Sequence, residues 1–200
     1  MKKANILIQL FLIFSTTQGQ IVSVKQDSTG DFIHIQNAVT AAENGDTVLV
    51  WPGRYYENVD LQGKSISIGS RFLTTGDKSY KYSTIIEGNQ IGTCILAIDC
   101  EYLVVAGFTL TNGSGYLSPG LWEGLTYGGG AYIRESKILL DNCVVSYNKT
   151  NTSSGGVQLY KSNVYLKGTS IFKNHSNGVG GGVLFLQSDV LFDDIDKCNI

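Results

Sequence analysis

Two tyrosines, an arginine and a glutamine recur in matched positions of the second half of the chain: Tyr132 and Arg134, then Gln158 and Tyr160, offset by 26 residues. Aromatic faces beside planar polar groups suit stacking on sugar rings and hydrogen bonding to their hydroxyls. Tyr116, Trp122 and Tyr127 stand just upstream, in the stretch GSGYLSPGLWEGLTY, and extend the same candidate surface. The alternative is that this stretch folds over the strip and buries its own aromatics. A second insertion, residues 71–82, adds Tyr80 and Tyr82, which would flank that surface.

Other chemistry is thinner. Asp189, Asp193, Asp194 and Asp196 are the dense acidic group, and carboxylate oxygens are what calcium takes. The stronger reading is structural: Asp141, Lys167 and Asp193 share one column, and an alternating-charge ladder between strands stabilises by a few tenths of a kcal/mol per pair, on the order of 0.5. Glu123 and Glu135 lie nearest the large loop but belong to no motif for paired-acid hydrolysis. Gly128-Gly129-Gly130 and Gly180-Gly181-Gly182 lack the following Lys-Ser/Thr of a phosphate loop and read as tight corners. His34 and His175 are far apart and are read as surface or satisfied histidines. No cofactor is expected; calcium is the metal that fits the acidic cluster.

The elements that position these residues show in an internal repeat. YGGGAYIRESKILLDNCVVSYN, SSGGVQLYKSNVYLKGTSIFKN and VGGGVLFLQSDVLFDDIDKCNI superimpose at a 26-residue offset. Gly129, Gly155 and Gly181 fall in one column, Ser136, Ser162 and Ser188 in another, and Asn148 matches Asn174. Apolar residues alternate over short segments, which means strands. Each copy reads as one coil of a parallel β-helix, with Asn148, Asn174 and the glycines at its corners. EYLVVAGFTLTNGSG is an earlier coil in which Phe108 and Leu110 match Cys143 and Val145.

In the last copy a short insertion that turns Lys197 outward is preferred, since a buried unpaired ammonium costs several kcal/mol. Cys198 and Ile200 then face inward, and the coil is unfinished, so further coils or a C-terminal domain are expected. At the other end Ile35, Ala38, Val39 and Ala42 follow helical spacing and predict a helix capping the mouth of the tube.

Lys2 and Lys3 before the apolar run Ile6 to Phe14 predict a signal peptide over residues 1–19, and the β-helix domain takes residues 20–200. No later segment is long or apolar enough to span a membrane. A net charge of −2 offers no basic stripe for nucleic acid. Cys94 and Cys100 flank an extended strand that separates them by about 20 Å, so these thiols and Cys143 are expected buried and free.

The chain resembles secreted right-handed β-helix proteins of the pectin-lyase-like superfamily. The resemblance rests on Ile35-Gln36-x-Ala38-Val39-x-x-Ala42, Gly45-Asp46-Thr47-Val48 with Pro52-Gly53-x-Tyr55, Lys64-Ser65-Ile66-Ser67-Ile68 and Thr84-Ile85-Ile86-Glu87-Gly88-Asn89, patterns shared with pectin methylesterases. The later GG coils with an NC-x-V-x-x-N tail resemble bacterial surface and polymorphic outer-membrane proteins. The resemblance implies an all-β, right-handed, single-stranded parallel β-helix. It does not carry over the esterase chemistry. Gly129 and Gly130 stand where the family has a glutamine, Ser146-Tyr147-Asn148 where it has Tyr-Gln-Asp, and Lys173-Asn174 where its second aspartate falls. The expectation is therefore a secreted or cell-surface module that binds glycans or adheres, with a polysaccharide or surface glycan as partner. The alternative is a polysaccharide-active lyase or hydrolase whose catalytic residues lie partly beyond residue 200.

Overall fold

The computed structural model of the chain describes residues 19–117 and 124–193; the expected signal peptide lies almost wholly outside them. β1 (Ile21–Val24) is followed by α1 (Ile35–Ala41), and then β2 (Thr47–Val50), β3 (Gly53–Tyr56) and β4 (Val59–Asp60) trace a three-sided coil. The next coil holds β5 (Ser67–Ser70), α2 (Phe72–Thr75), α3 (Tyr80–Ser83), β6 (Thr84–Glu87) and β7 (Ile95–Ile98). It is followed by β8 (Leu103–Ala106), β9 (Thr109–Thr111), β10 (Tyr116–Leu117), β11 (Thr126–Tyr127) and β12 (Ala131–Arg134). A further coil comprises β13 (Lys137–Asp141), β14 (Val144–Ser146), β15 (Lys149–Thr150) and β16 (Val157–Tyr160). After it come β17 (Asn163–Lys167), β18 (Ser170–Phe172), β19 (His175–Ser176), β20 (Val183–Leu186) and β21 (Asp189–Asp193).

Stacking these coils makes three long parallel sheets. The first runs β1-β2-β5-β8-β13-β17-β21, the second β18-β14-β9-β6-β3 and the third β20-β16-β12-β7-β4. The fold is thus a parallel β-helix. The 26-residue offset is its pairing register: Val157 lies on Ala131, Leu166 on Leu140 and Ile171 on Val145. Strict register continues through Lys167 on Asp193; the insertion expected near Lys197, Cys198 and Ile200 lies outside the described residues. Inside the tube like sits on like. Val48, Ile68, Val105, Leu140 and Leu166 form one buried column, and Tyr55, Ile86, Leu110, Val145 and Ile171 form another.

The predicted cap is present. α1 buries Ile35, Ala38 and Val39 and packs against β1, β2 and β4. Both its ends are held by groups of the following coil that sequence spacing did not single out. The Glu57 carboxylate accepts from the amides of Ile35 and Gln36, each at 2.9 Å. The Lys64 ammonium donates to the carbonyls of Val39, Thr40 and Ala42, each at 2.8 Å. A short helix leaves most of its backbone groups without partners, so these two side chains supply what its length cannot.

The corners turn on single left-handed residues. Asp99, Glu135, Lys161 and Gln187 have φ between 49° and 57° at the corner from the third sheet to the first. The ladder continues through them, with Glu135 N donating to Tyr160 O at 2.9 Å and Lys161 N to Leu186 O at 3.0 Å. The serine column follows directly: Cys100 N donates to Ser136 Oγ, Ser136 N to Ser162 Oγ and Ser162 N to Ser188 Oγ. Each hydroxyl thereby takes an amide from the coil before it, which a buried corner requires.

Cys94, Cys100 and Cys143 are buried and free, as expected. Burial pushes the Cys94 and Cys143 thiols up to about 12, so neither forms a thiolate at neutral pH. Iodoacetamide at pH 8 should leave the peptides containing Cys94 and Cys143 unlabelled in the folded protein and label them fully in denaturant. Mass spectrometry checks this, and rapid labelling of either thiol in the folded state would contradict the burial described here.

Candidate functional site

The candidate surface lies on the outer face of the third sheet. In β12 Ala131 and Ile133 enter the core, which sends Tyr132 and Arg134 outward. Register places Tyr132 beside Gln158 and Gln158 beside Leu184, and Arg134 beside Tyr160 and Tyr160 beside Leu186. The sequence-predicted residues Tyr132, Arg134, Gln158 and Tyr160 therefore do meet on one face.

Two of them are not open to solvent, contrary to the expectation from alternation: Tyr132 is 8% exposed and Gln158 4%. β10 and β11 form an antiparallel hairpin that pairs Tyr116 with Tyr127 and folds back over the strand. The Tyr116 ring stacks on Tyr132 with centroids 5.0 Å apart and planes at 17°, and Tyr127 lies 6.1 Å away, tilted by 40°. Alternation decides which way a side chain leaves the sheet. It is silent about what a long insertion then lays on top, and burying aromatic rings drives the insertion down at roughly 25 cal/mol per Å². Trp122 lies outside the described residues.

Beside the hairpin, Arg134 and Tyr160 remain half-exposed. Glu135 stands 3.9 Å from both the Arg134 Nε and the Lys161 ammonium, and Lys161 sits 5.2 Å above the Tyr160 ring. The polar accounting of this face is incomplete. Gln158 Oε1 and Arg134 Nε are both buried and make no hydrogen bond. A buried acceptor and a buried donor left unpaired each cost about 1–3 kcal/mol. Burial also pushes the Tyr132 hydroxyl above its ordinary value, which keeps it a neutral hydrogen-bonding group.

Contrary to the expectation drawn from Tyr80 and Tyr82, the second insertion does not flank this surface. α2 packs on β5, and α3 on β6 and β9. Lys81 ties α3 to the corner between the first and second sheets, its ammonium donating to Asn142 Oδ1 at 2.9 Å and its carbonyl accepting from Thr109 Oγ1 at 2.6 Å. Tyr82 is exposed there, remote in the coil from Tyr132.

Of the calcium candidates, Asp189 is exposed at the start of β21, Asp193 ends that strand, and Asp194 lies outside the described residues. Among the described residues no group of three or more His, Cys, Asp or Glu is placed to hold a metal ion. The charge column is visible in part, with the Lys167 ammonium 3.5 Å from Asp141 Oδ2.

The corner asparagines form a buried amide ladder. Asn148, 1% exposed, accepts from Gly113 N at 2.8 Å and donates to Leu110 O, Ser146 O and Asn174 Oδ1. Asn174 in turn donates to Val145 O at 2.8 Å. Asn148 is thus a buried and fully engaged structural amide.

A scan against protein-family models finds no match, and a search of curated proteins finds none either. Among solved structures, a pectin methylesterase from carrot is similar over 90% of this chain and 65% of its own, at 18% identity and a TM-score of 0.46. A pectin methylesterase in complex with a hexasaccharide is similar over 90% of this chain and 68% of its own, at 10% identity and a TM-score of 0.38. The chain spans 65% of the length of the first of these. These are likenesses in the path of the chain. No helix among the described residues is long and apolar enough to cross a membrane.

Proposed function

We propose that this chain is a secreted or cell-surface β-helix module that binds glycans through the outer face of its third sheet, with residues 20–200 as the binding domain. The observation that carries the reading is the pair of buried groups without a hydrogen bond, Gln158 Oε1 and Arg134 Nε, next to the Tyr116/Tyr132/Tyr127 cluster. A sugar hydroxyl donates and accepts at once, so one ligand can complete both groups. Tyr160 offers the half-exposed ring on which that sugar stacks, and Arg134 the planar edge beside it. The tyrosines under the hairpin make the floor rigid, which lowers the entropy lost on binding.

A glycan array probed with the mature chain should give reproducible hits, and Tyr160→Ala should weaken them about tenfold, the loss of roughly 1.4 kcal/mol that one aromatic contact supplies. Arg134→Ala should weaken the same hits. An array blank across plant and animal polysaccharides, or hits indifferent to both substitutions, would overturn the assignment of this face.

A further inference from the structure

A second opening lies one corner upstream, where the chain passes from the second sheet into the third. It is a cleft of about 480 Å³ whose wall includes Gln90, Asn112, Tyr147, Lys149, Thr150 and Asn177. Its lining carries amides, hydroxyls and one ammonium, and no carboxylate. Part of this set is already engaged internally. Gln90 Nε2 donates to Asn112 Oδ1 at 3.1 Å, Asn112 Nδ2 donates to Glu87 Oε1 at 2.9 Å, and Tyr147 accepts from Lys173. These bonds fix the orientation of the wall.

What the wall leaves over points to a ligand. Thr150 is 2% exposed, and its hydroxyl oxygen is buried without a hydrogen-bond partner. A hydroxyl in that state is destabilising unless something completes it. Lys149 is exposed at the same opening, in the strand pair Lys149 on His175, and makes no ion pair among the described residues. The hairpin closes one side, with Asn151 Oδ1 accepting from both the amide and the hydroxyl of Thr126 at 2.9 and 2.7 Å.

We propose that this cleft is a second binding site, distinct from the third-sheet face, for one anionic saccharide unit whose charge is a carboxylate or a sulfate ester. Amide side chains match sugar hydroxyls because both donate and accept. The ammonium of Lys149 pairs with the ligand's charge, and the carboxylate-free lining does not oppose it. The choice of a saccharide rests on the glycan reading above; the location and the charge preference rest on the cleft alone.

The test titrates the intact chain, followed by backbone amide shifts in solution NMR, with glucuronic acid, glucose 6-sulfate and glucose. The expected result is binding of at least one anionic sugar, with shifts at Gly113, Ser114 and Asn151, and binding of glucose about tenfold weaker. Which of the two anions binds identifies the charged group. Lys149→Gln should remove most of the difference between the anionic sugars and glucose, about tenfold, because a charge-assisted hydrogen bond contributes that much. Thr150→Val, similar in shape, should weaken all binding sugars alike, and Tyr160→Ala should leave this binding unchanged. Failure of all three sugars to shift the cleft amides at millimolar concentration overturns the proposal. So does anionic binding that survives Lys149→Gln intact. Binding lost in Tyr160→Ala but kept in Lys149→Gln overturns it too, while supporting the third-sheet face.

Discussion

Asn148→Ala should lower the unfolding free energy by about 4 kcal/mol, read as a shift of the urea midpoint followed by circular dichroism. The substitution removes an amide that serves three backbone groups at a buried corner: Gly113 N at 2.8 Å, Leu110 O at 3.1 Å and Ser146 O at 3.2 Å. Alanine has nothing to offer them, and each buried group left unpaired costs about 1–3 kcal/mol. Water cannot readily substitute, since the side chain is 1% exposed. Asn174→Ala should also destabilise, because Asn174 Oδ1 accepts from the backbone amide and the Nδ2 of Asn148 at 3.0 and 2.9 Å and its Nδ2 donates to Val145 O at 2.8 Å.

Asn148→Asp separates the structural role from a latent catalytic one. An aspartate would return the acid that the resemblance seeks near this position, yet its ionised form faces the oxygens of Leu110, Ser146 and Asn174. Burial and those acceptors raise the folded-state carboxyl above its unfolded value. The folded state then binds the proton more tightly, so the variant's deficit relative to the unsubstituted protein should be smallest below the unfolded carboxyl value of about 4, grow as pH rises from there to the raised folded-state value, and level off above it. A variant as stable as the original at pH 7 would remove the amide ladder from the account of this corner.

The repeat made most of this architecture readable without coordinates. Ser136, Ser162 and Ser188 recur because each hydroxyl accepts an amide from the coil before, and Asn148 recurs with Asn174 because the two amides bond each other. Columns of identical residues are what stacked coils produce. The capping helix was legible for a similar reason, since Ile35, Ala38 and Val39 face one core. Other parts left no signal. Glu135, Lys161 and Gln187 occupy left-handed corners, although none is a residue type that favours them. They are held by ladder bonds to the adjacent coil, an arrangement that composition does not encode. Glu57 and Lys64 reach α1 from more than 20 residues away, beyond any local capping pattern. The candidate face shows the same division. Period two brought Tyr132 and Gln158 to the correct side of the sheet, while their burial depends on a hairpin whose course no periodicity specifies. The cleft behind Lys149 is lined from the same corner of four successive coils, and no single segment of sequence announces it.

Gly129→Ala should be nearly as damaging as the loss of Asn148, at about 3 kcal/mol. A methyl group on Gly129 would meet the carbonyl oxygen of Gly155 at 2.4 Å and the Asn148 Cβ at 2.9 Å. Both are parts of the framework rather than flexible side-chain ends. Gly129 is also bonded on both sides, accepting from Cys94 N at 3.1 Å and donating to Ser154 O at 3.2 Å. Moving it away from one coil drives it into the other, so the overlap is relieved only by breaking ladder bonds. Conformation does not account for this glycine, because Gly129 has no positive φ. The urea midpoint of the variant decides the matter. A loss below about 1 kcal/mol would mean that close approach of successive coils is not what excludes a side chain there.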